Sequence, residues 1–188
     1  MIALFPAAAE VQAFCRRADW RFCFIGGLAL QRWGEPRYTQ DVDLTLLTGF
    51  GNEADYVDAL LGTFSARLSD AREHALRHRV LLLTAGDGVP VDIALGALPY
   101  EEQMIGRSSD WNVAPGLSLR TCSAEDLIVL KAFAGRPQDW VDIERVAVRQ
   151  AGKLDEALIF EELSPLLELK DDPASAARLR AILAAAAS

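Results

Sequence analysis

Apolar and polar positions follow both strand and helix periods in the first two thirds of the chain. Val11, Phe14 and Cys15 recur at helical spacing, whereas residues 41–47 alternate acid or Thr with Val and Leu at the period of a strand. The patterns predict a helix over 7–18, a strand over 21–25, a helix over 28–33, a strand over 41–47, a helix over 52–68, strands over 78–84 and 91–95, and short extended pieces over 111–113 and 117–120. Strands that alternate with helices indicate the α/β (α+β) class.

The pattern after residue 120 is helical throughout. Ser123 followed by two acids is an N-cap signal, and the apolar run LIVLKAFAG ends at Gly135, a typical helix stop. Three or four further helices follow, the last of them over 174–188. The prolines that divide them are Pro137, Pro165 and Pro173.

The length and charge of the chain limit its organisation and its partners. A chain of 188 residues suits one domain, and we predict a core over 1–120 with a helical region over 121–188 packed on it. The net charge of −8, from 19 Lys and Arg against 27 Asp and Glu, argues against a broad basic footprint for duplex nucleic acid. A local basic groove remains open, because arginines cluster early in the chain.

Cysteine usage and hydrophobicity predict a cytoplasmic protein. Cys15, Cys23 and Cys122 include no C-x-x-C pair, so they indicate neither a disulfide framework nor a cysteine zinc site. The opening MIALFPAAAE lacks the basic residues of a signal peptide, and no apolar run approaches the ~18 residues that span a bilayer. We therefore expect neither secretion nor membrane insertion.

Three acids interrupt otherwise apolar strand patterns. Asp41 and Asp43 would share one strand face, with Cα atoms ~6.6 Å apart. Asp92 interrupts the pattern VDIAL, and it would join the pair if the two strands are neighbours. Such a cluster repels itself unless a divalent cation binds. The alternative is a solvated strand face, although Asp is depleted in strands.

A glycine pair separates the first predicted strand from the helix that follows it. Gly26 and Gly27 would let the backbone approach a phosphate closely, and the N–H groups at a helix start attract anions. Most such pairs are only turns, so this one gains weight from the acids that follow.

Two stretches of the chain resemble a known family. GGLALQRWGEPRYTQDVDL at 26–44 is similar to the signature of the DNA polymerase β-like nucleotidyltransferase superfamily, in which a glycine turn on a helix precedes a D-x-D strand and a later third Asp. LKAFAGRPQDWVDIERV at 130–146 resembles the K…R-x-x-D-x-x-D motif of the AbiEii toxins of type IV toxin–antitoxin systems. The resemblance implies a nucleotidyltransferase fold, with a mixed central sheet flanked by helices and a helical C-terminal part.

The resemblance also implies a reaction, the transfer of a nucleoside monophosphate from an NTP, such as ATP, to an acceptor hydroxyl with Mg²⁺ or Mn²⁺. It implies Asp41, Asp43 and Asp92 as metal ligands, and Asp92 can also activate the attacking hydroxyl. The implied nucleotide contacts are Gly26, Gly27, Arg37, Thr39, Lys131 and Asp139, and Lys131 counts with the three acids as catalytic. The favoured acceptor is RNA, especially the 3′ end of tRNA, while a protein or small-molecule hydroxyl stays open. An antitoxin protein is the implied partner.

Two other functions remain open. Leu28 stands where members of the superfamily often carry a hydroxyl residue, which favours a catalytically silent binding or regulatory module. The presence of all three acids argues against that function. A D-x-D glycosyltransferase would also use a carboxylate pair and a metal, but it explains neither the glycine pair nor Asp92.

Alternatives also apply to other charged residues. Lys131 could be a surface lysine, and Asp139 and Asp142 could form a structural salt-bridge network, which we favour for Asp142. His74 and His78 are four residues apart and could bind zinc on a helix. Arginines surround the pair, so we favour a solvated or RNA-facing basic patch.

Overall fold

The structure is a computed structural model that describes residues 4–186. Its helices are α1 (Leu4–Arg17), α2 (Gly26–Trp33), α3 (Glu53–Leu61), α4 (Ala71–His78), α5 (Pro99–Arg107), α6 (Ala124–Ala134), α7 (Pro137–Arg149), α8 (Glu156–Lys170) and α9 (Pro173–Ala186). Its strands are β1 (Phe22–Phe24), β2 (Val42–Leu47), β3 (Ser65–Ala66), β4 (Val80–Ala85), β5 (Val89–Gly96), β6 (Ser109–Ala114) and β7 (Leu117–Thr121). Across residues 4–186, no helix is both long and apolar enough to span a membrane. The last two residues of the helix predicted over 174–188 lie outside the described residues.

The described chain divides into two compact units. The first contains the residues up to Leu28 together with Tyr38–Cys122, and the second contains Ala29–Arg37 and the residues from Ser123 onward. The strands belong to the first unit, where they form one sheet in the order β3-β4-β5-β2-β1-β7-β6. β2 is parallel to β5 and β1 to β7, whereas the other neighbours are antiparallel. This mixed sheet confirms the predicted α/β fold class.

The central strands bury one face and leave the other partly open. The buried face packs with apolar residues of α1, α3 and α4 into one core cluster. The strand residues on that face are Val42, Leu44, Leu81, Leu83, Val91 and Ile93. Successive side chains point to opposite faces, so Asp43, Leu82 and Asp92 lie on the other face, where they are only partly buried. The alternation that builds the core therefore also directs the two acids away from it.

The second unit is helical, and helix α6 has the predicted ends. Ser123 caps α6, because its Oγ accepts a hydrogen bond of 3.1 Å from the backbone N–H of Asp126. Gly135 ends α6 with a φ of +67°, in the left-handed region that favours glycine. Pro137 opens α7 at a position where a missing N–H costs nothing. The buried apolar residues of this unit include Leu127, Ile128, Ile143, Val146, Ile159, Leu163, Leu179 and Leu183.

The structure differs from the predicted elements in one helix end, at one proline and in two helices that the sequence did not predict. The helix predicted over 52–68 ends as α3 at Leu61, because the chain turns at Gly62 and then pairs with β4 as the short edge strand β3. Pro165 lies inside α8 instead of dividing two helices. Helices α4 and α5 were not predicted, since both are short and carry many charged residues.

Candidate active site

Asp43 and Asp92 are direct neighbours in the sheet. The parallel pairing of β2 with β5 aligns Asp43 with Asp92, so both side chains emerge side by side on the open face. Asp41 lies immediately before β2, two residues from Asp43. The condition set by the sequence is therefore met, because the two strands that carry these acids are neighbours.

Two polar side chains contact these acids. Thr39 Oγ1 donates a hydrogen bond of 2.8 Å to Asp41 Oδ1. The guanidinium of Arg67 forms an ion pair with Asp92 Oδ1. Burial raises the pKa of Asp92; the charge of Arg67 opposes that effect and the negative charge of Asp41 adds to it, so the pKa lies above its usual range. The negative charges of Asp41 and Asp92 are therefore close enough to repel each other.

The glycine pair gives these side chains room. Gly26 has a φ of +53°, and a Cβ atom there would overlap the carboxylate of Asp43. A Cβ on Gly27 would lie 2.5 Å from Thr39 Oγ1, the atom that bonds Asp41. The start of α2 thus lies directly against Asp43 and against Thr39, the hydrogen-bond partner of Asp41. The glycines have a packing role here beyond the close approach to phosphate that their sequence suggests.

We expect Gly26→Ala to destabilise the chain by more than the ~1–2 kcal/mol that an alanine pays at positive φ, because its methyl group also displaces Asp43. Gly116→Ala is the matched control, since Gly116 has a φ of +75° and no atom within 4 Å of the added Cβ. Urea unfolding of both variants measures the difference. Equal losses would mean that Asp43 moves aside at no cost.

The donor chemistry at these acids suits a hard divalent cation. Mg²⁺ binds carboxylate oxygens; Asp43 and Asp92 are paired neighbours on β2 and β5, and Asp41 lies just before β2. No group of three or more Asp, Glu, His or Cys side chains within the described part of the chain is already arranged to hold a metal ion. At Asp92 the positive charge comes from Arg67. The side chains are therefore of the type that binds a divalent cation, and the strand pairing places Asp43 and Asp92 side by side. One of these carboxylates, Asp92, already forms an ion pair with Arg67.

The other predicted site residues lie in the second unit, in a buried ion network. Lys131 Nζ donates to Asp142 Oδ2 at 2.7 Å and to Asp139 Oδ1 at 3.2 Å. The Asp142 side chain has no exposed surface and accepts further hydrogen bonds from Arg37 Nε at 3.2 Å and Gln138 Nε2 at 3.1 Å. Lys131 is 6% exposed. The favoured structural role of Asp142 agrees with this arrangement.

A family model matches almost the whole chain. The model described as "Nucleotidyl transferase AbiEii toxin, Type IV TA system" covers residues 15–187. The chain belongs to this family. It is a nucleotidyltransferase enzyme, and membership of a type IV toxin–antitoxin family implies an antitoxin partner. The predicted AbiEii resemblance is thereby confirmed.

Solved structures share the fold of this AbiEii-family chain at low sequence identity. An antigenic nucleotidyltransferase-like protein from Paracoccidioides brasiliensis is 16% identical, with a TM-score of 0.55 over 93% of this chain and 90% of that one. The lincosamide antibiotic adenylyltransferase LnuA is 9% identical, with a TM-score of 0.52 over 75% and 94%. The antibiotic-resistance factor ANT(2'')-Ia is 15% identical, with a TM-score of 0.50 over 96% and 89%. No curated protein matches the chain.

The R-x-x-D-x-x-D part of the AbiEii-type motif affects how stability depends on pH. Burial raises the pKa of Asp142, but hydrogen bonds from Lys131 and Gln138 and the charges of Lys131 and Arg37 outweigh it, so the pKa lies below its usual range. A lowered folded pKa stabilises the fold above the unfolded value, and this contribution disappears as pH falls through the folded pKa.

We therefore expect the stability advantage of the wild type over Asp142→Asn to be constant from pH 7 to about pH 5 and to shrink below about pH 4. Urea midpoints of both proteins at each pH measure it. A difference that grows on acidification would contradict the sign of the shift.

Two other predicted positions have clear surroundings. Leu28, which follows the glycine pair, is fully buried and packs in the core of the first unit. His74 and His78 share one face of α4, with ring centroids 4.7 Å apart. The described residues provide no third ligand beside them.

The sequence did not indicate the contact between Arg67 and Asp92, which depends on strand order.

Proposed function

We propose that the chain transfers a nucleoside monophosphate from an NTP to an acceptor hydroxyl, with release of pyrophosphate, and that it needs a divalent cation held by Asp41, Asp43 and Asp92. The observation that carries the proposal is the alignment of Asp43 with Asp92 on the open face of the sheet, next to the glycine turn. Membership of the AbiEii family supports the reaction class.

The residues of the first unit have different roles in the proposed reaction. Asp41, Asp43 and Asp92 would hold Mg²⁺ or Mn²⁺, which when bound neutralises triphosphate charge and aligns the attacking oxygen with the α-phosphate. Thr39 orients Asp41 through its hydrogen bond. Asp92 accepts the proton of the acceptor hydroxyl. Gly26 and Gly27 let the backbone N–H groups at the start of α2 approach a phosphate.

The residues of the second unit have a separate expectation. That Arg37, Lys131 and Asp139 contact the nucleotide stays a prediction. The buried ion pairs of Lys131 with Asp139 and Asp142 favour a structural role beside it.

The proposed acceptor is the 3′ end of a tRNA, and the proposed setting is the cytoplasm, with the chain acting as the toxin of a toxin–antitoxin pair. The family supports the toxin role. The odd number of cysteines without a C-x-x-C pair supports a reducing compartment. A protein or small-molecule hydroxyl is the alternative acceptor.

The test is incubation of purified protein with each α-labelled NTP, Mg²⁺ and total tRNA, followed by gel separation. We expect label in tRNA with one preferred NTP, and none after EDTA. Label in a protein or small-molecule fraction would keep the reaction and change the acceptor. If no label is transferred to tRNA, to protein or to small molecules, the proposal is wrong.

Calorimetric titration with NTP in Mg²⁺ tests the proposed cation site without an acceptor. We expect nucleotide binding that depends on the metal, because the three acids bind a phosphate group only through a cation. Nucleotide binding that is unchanged in EDTA would contradict the proposed cation site.

A further inference from the structure

Arg67 extends a row of side chains across the sheet. The chain leaves β3 at Ala66, and the backbone N–H of Arg67 donates a hydrogen bond of 3.0 Å to the carbonyl of Leu82 on β4. Leu82 pairs with Asp92 on β5, and Asp92 pairs with Asp43 on β2. Arg67 thus lies in line with the carboxylates, on their face of the sheet.

The guanidinium of Arg67 neutralises one acid of this cluster. It bonds Asp92 Oδ1, and the two side chains are 29% and 35% exposed. A guanidinium donates hydrogen bonds and has no acceptor atom, so it can hold the carboxylate oxygen but cannot itself bind a metal ion. A cation that takes the same oxygen must displace the whole side chain.

Other arginines nearby in sequence have different partners. Arg72 pairs with Asp58 between α4 and α3, and Arg79 pairs with Glu53 and with the carbonyl of Leu95. Neither contacts Asp41, Asp43 or Asp92 in any of these bonds. The position of Arg67 directly after β3 places its charge next to Asp92.

We propose that Arg67 is a built-in counter-cation of Asp92, which relieves the repulsion among the three acids in the metal-free chain and which a divalent cation displaces on binding. This inference rests on the cation site of the proposed function. It predicts that Arg67 stabilises the metal-free chain and weakens its affinity for the cation.

The experiment compares wild type, Arg67→Gln and Arg67→Lys by Mn²⁺ calorimetry and by thermal unfolding in EDTA and in Mn²⁺. We expect Arg67→Gln to bind Mn²⁺ about three- to tenfold more tightly, since one competing ion pair is gone. Its Tm should fall in EDTA and rise more than that of the wild type when Mn²⁺ is added. Arg67→Lys should stay near the wild type, because it keeps the charge.

Arg72→Gln is the matched control, since it makes the same charge change but removes only the pair with Asp58. We expect its Mn²⁺ affinity to equal that of the wild type. Mn²⁺ binding to the wild type with equal or weaker binding to Arg67→Gln would overturn the inference and leave the proposed function intact. Absence of Mn²⁺ binding to every variant would overturn both.

Discussion

Asp41→Asn is expected to lower nucleotide transfer by about a thousandfold while leaving the fold intact. Thr39 Oγ1 can donate to Asn as it does to Asp41 Oδ1, so the substitution removes charge and keeps the local hydrogen bond. The loss follows because an amide binds a divalent cation more weakly than a carboxylate does. Initial rates with saturating NTP and acceptor measure it.

The control for this prediction is Asp58→Asn. Asp58 is an exposed acid on α3 that pairs with Arg72. It should retain nearly full activity, because it changes the same net charge without touching the three acids. Near wild-type activity of Asp41→Asn would show that Asp41 does not carry the reaction and would contradict the proposed cation site.

Lys131→Met is expected to destabilise the chain by about 3–5 kcal/mol. The substitution leaves Asp139 and Asp142 buried beside each other without the amine that donates to both. Arg37 and Gln138 still donate hydrogen bonds to Asp142. Their bonds do not replace the hydrogen bond that Asp139 accepts from Lys131. Urea denaturation followed by circular dichroism measures the loss.

Lys153→Met is the control for this prediction, because Lys153 is exposed in the turn after α7. We expect it to change stability by no more than about 0.5 kcal/mol. A loss below about 1 kcal/mol for Lys131→Met, together with a large loss of transfer, would instead assign Lys131 to the chemistry, as the family motif implies.

Local signals in the sequence predicted helix ends and strand faces well. Ser123 and Gly135 predicted both ends of α6, because capping and left-handed termination depend on residues that are adjacent in the chain. The alternation over 41–47 predicted a strand with the acids on one face. The same local rules were wrong for Pro165, which lies inside α8 with the buried residues Leu163 and Leu167 on either side of it.

The limits of the sequence appear where partners are distant. The helix predicted over 52–68 was too long because pairing with β4 outweighs the helical pattern after Gly62. The glycine pair suggested an approach to phosphate, but its contacts with Asp43 and Thr39 required the folded chain.

The sequence by itself determined the fold class, the family and the residue types of the candidate site, because strand periodicity and motif spacing are local properties of the chain. Only the tertiary structure decided that β5 pairs with β2, that Arg67 holds Asp92, and that Lys131 is buried between two acids. The first two contacts join residues far apart in sequence, and Lys131 on α6 reaches acids on a different helix, α7. Their formation depends on the order of strands and the packing of helices, which no local pattern encodes.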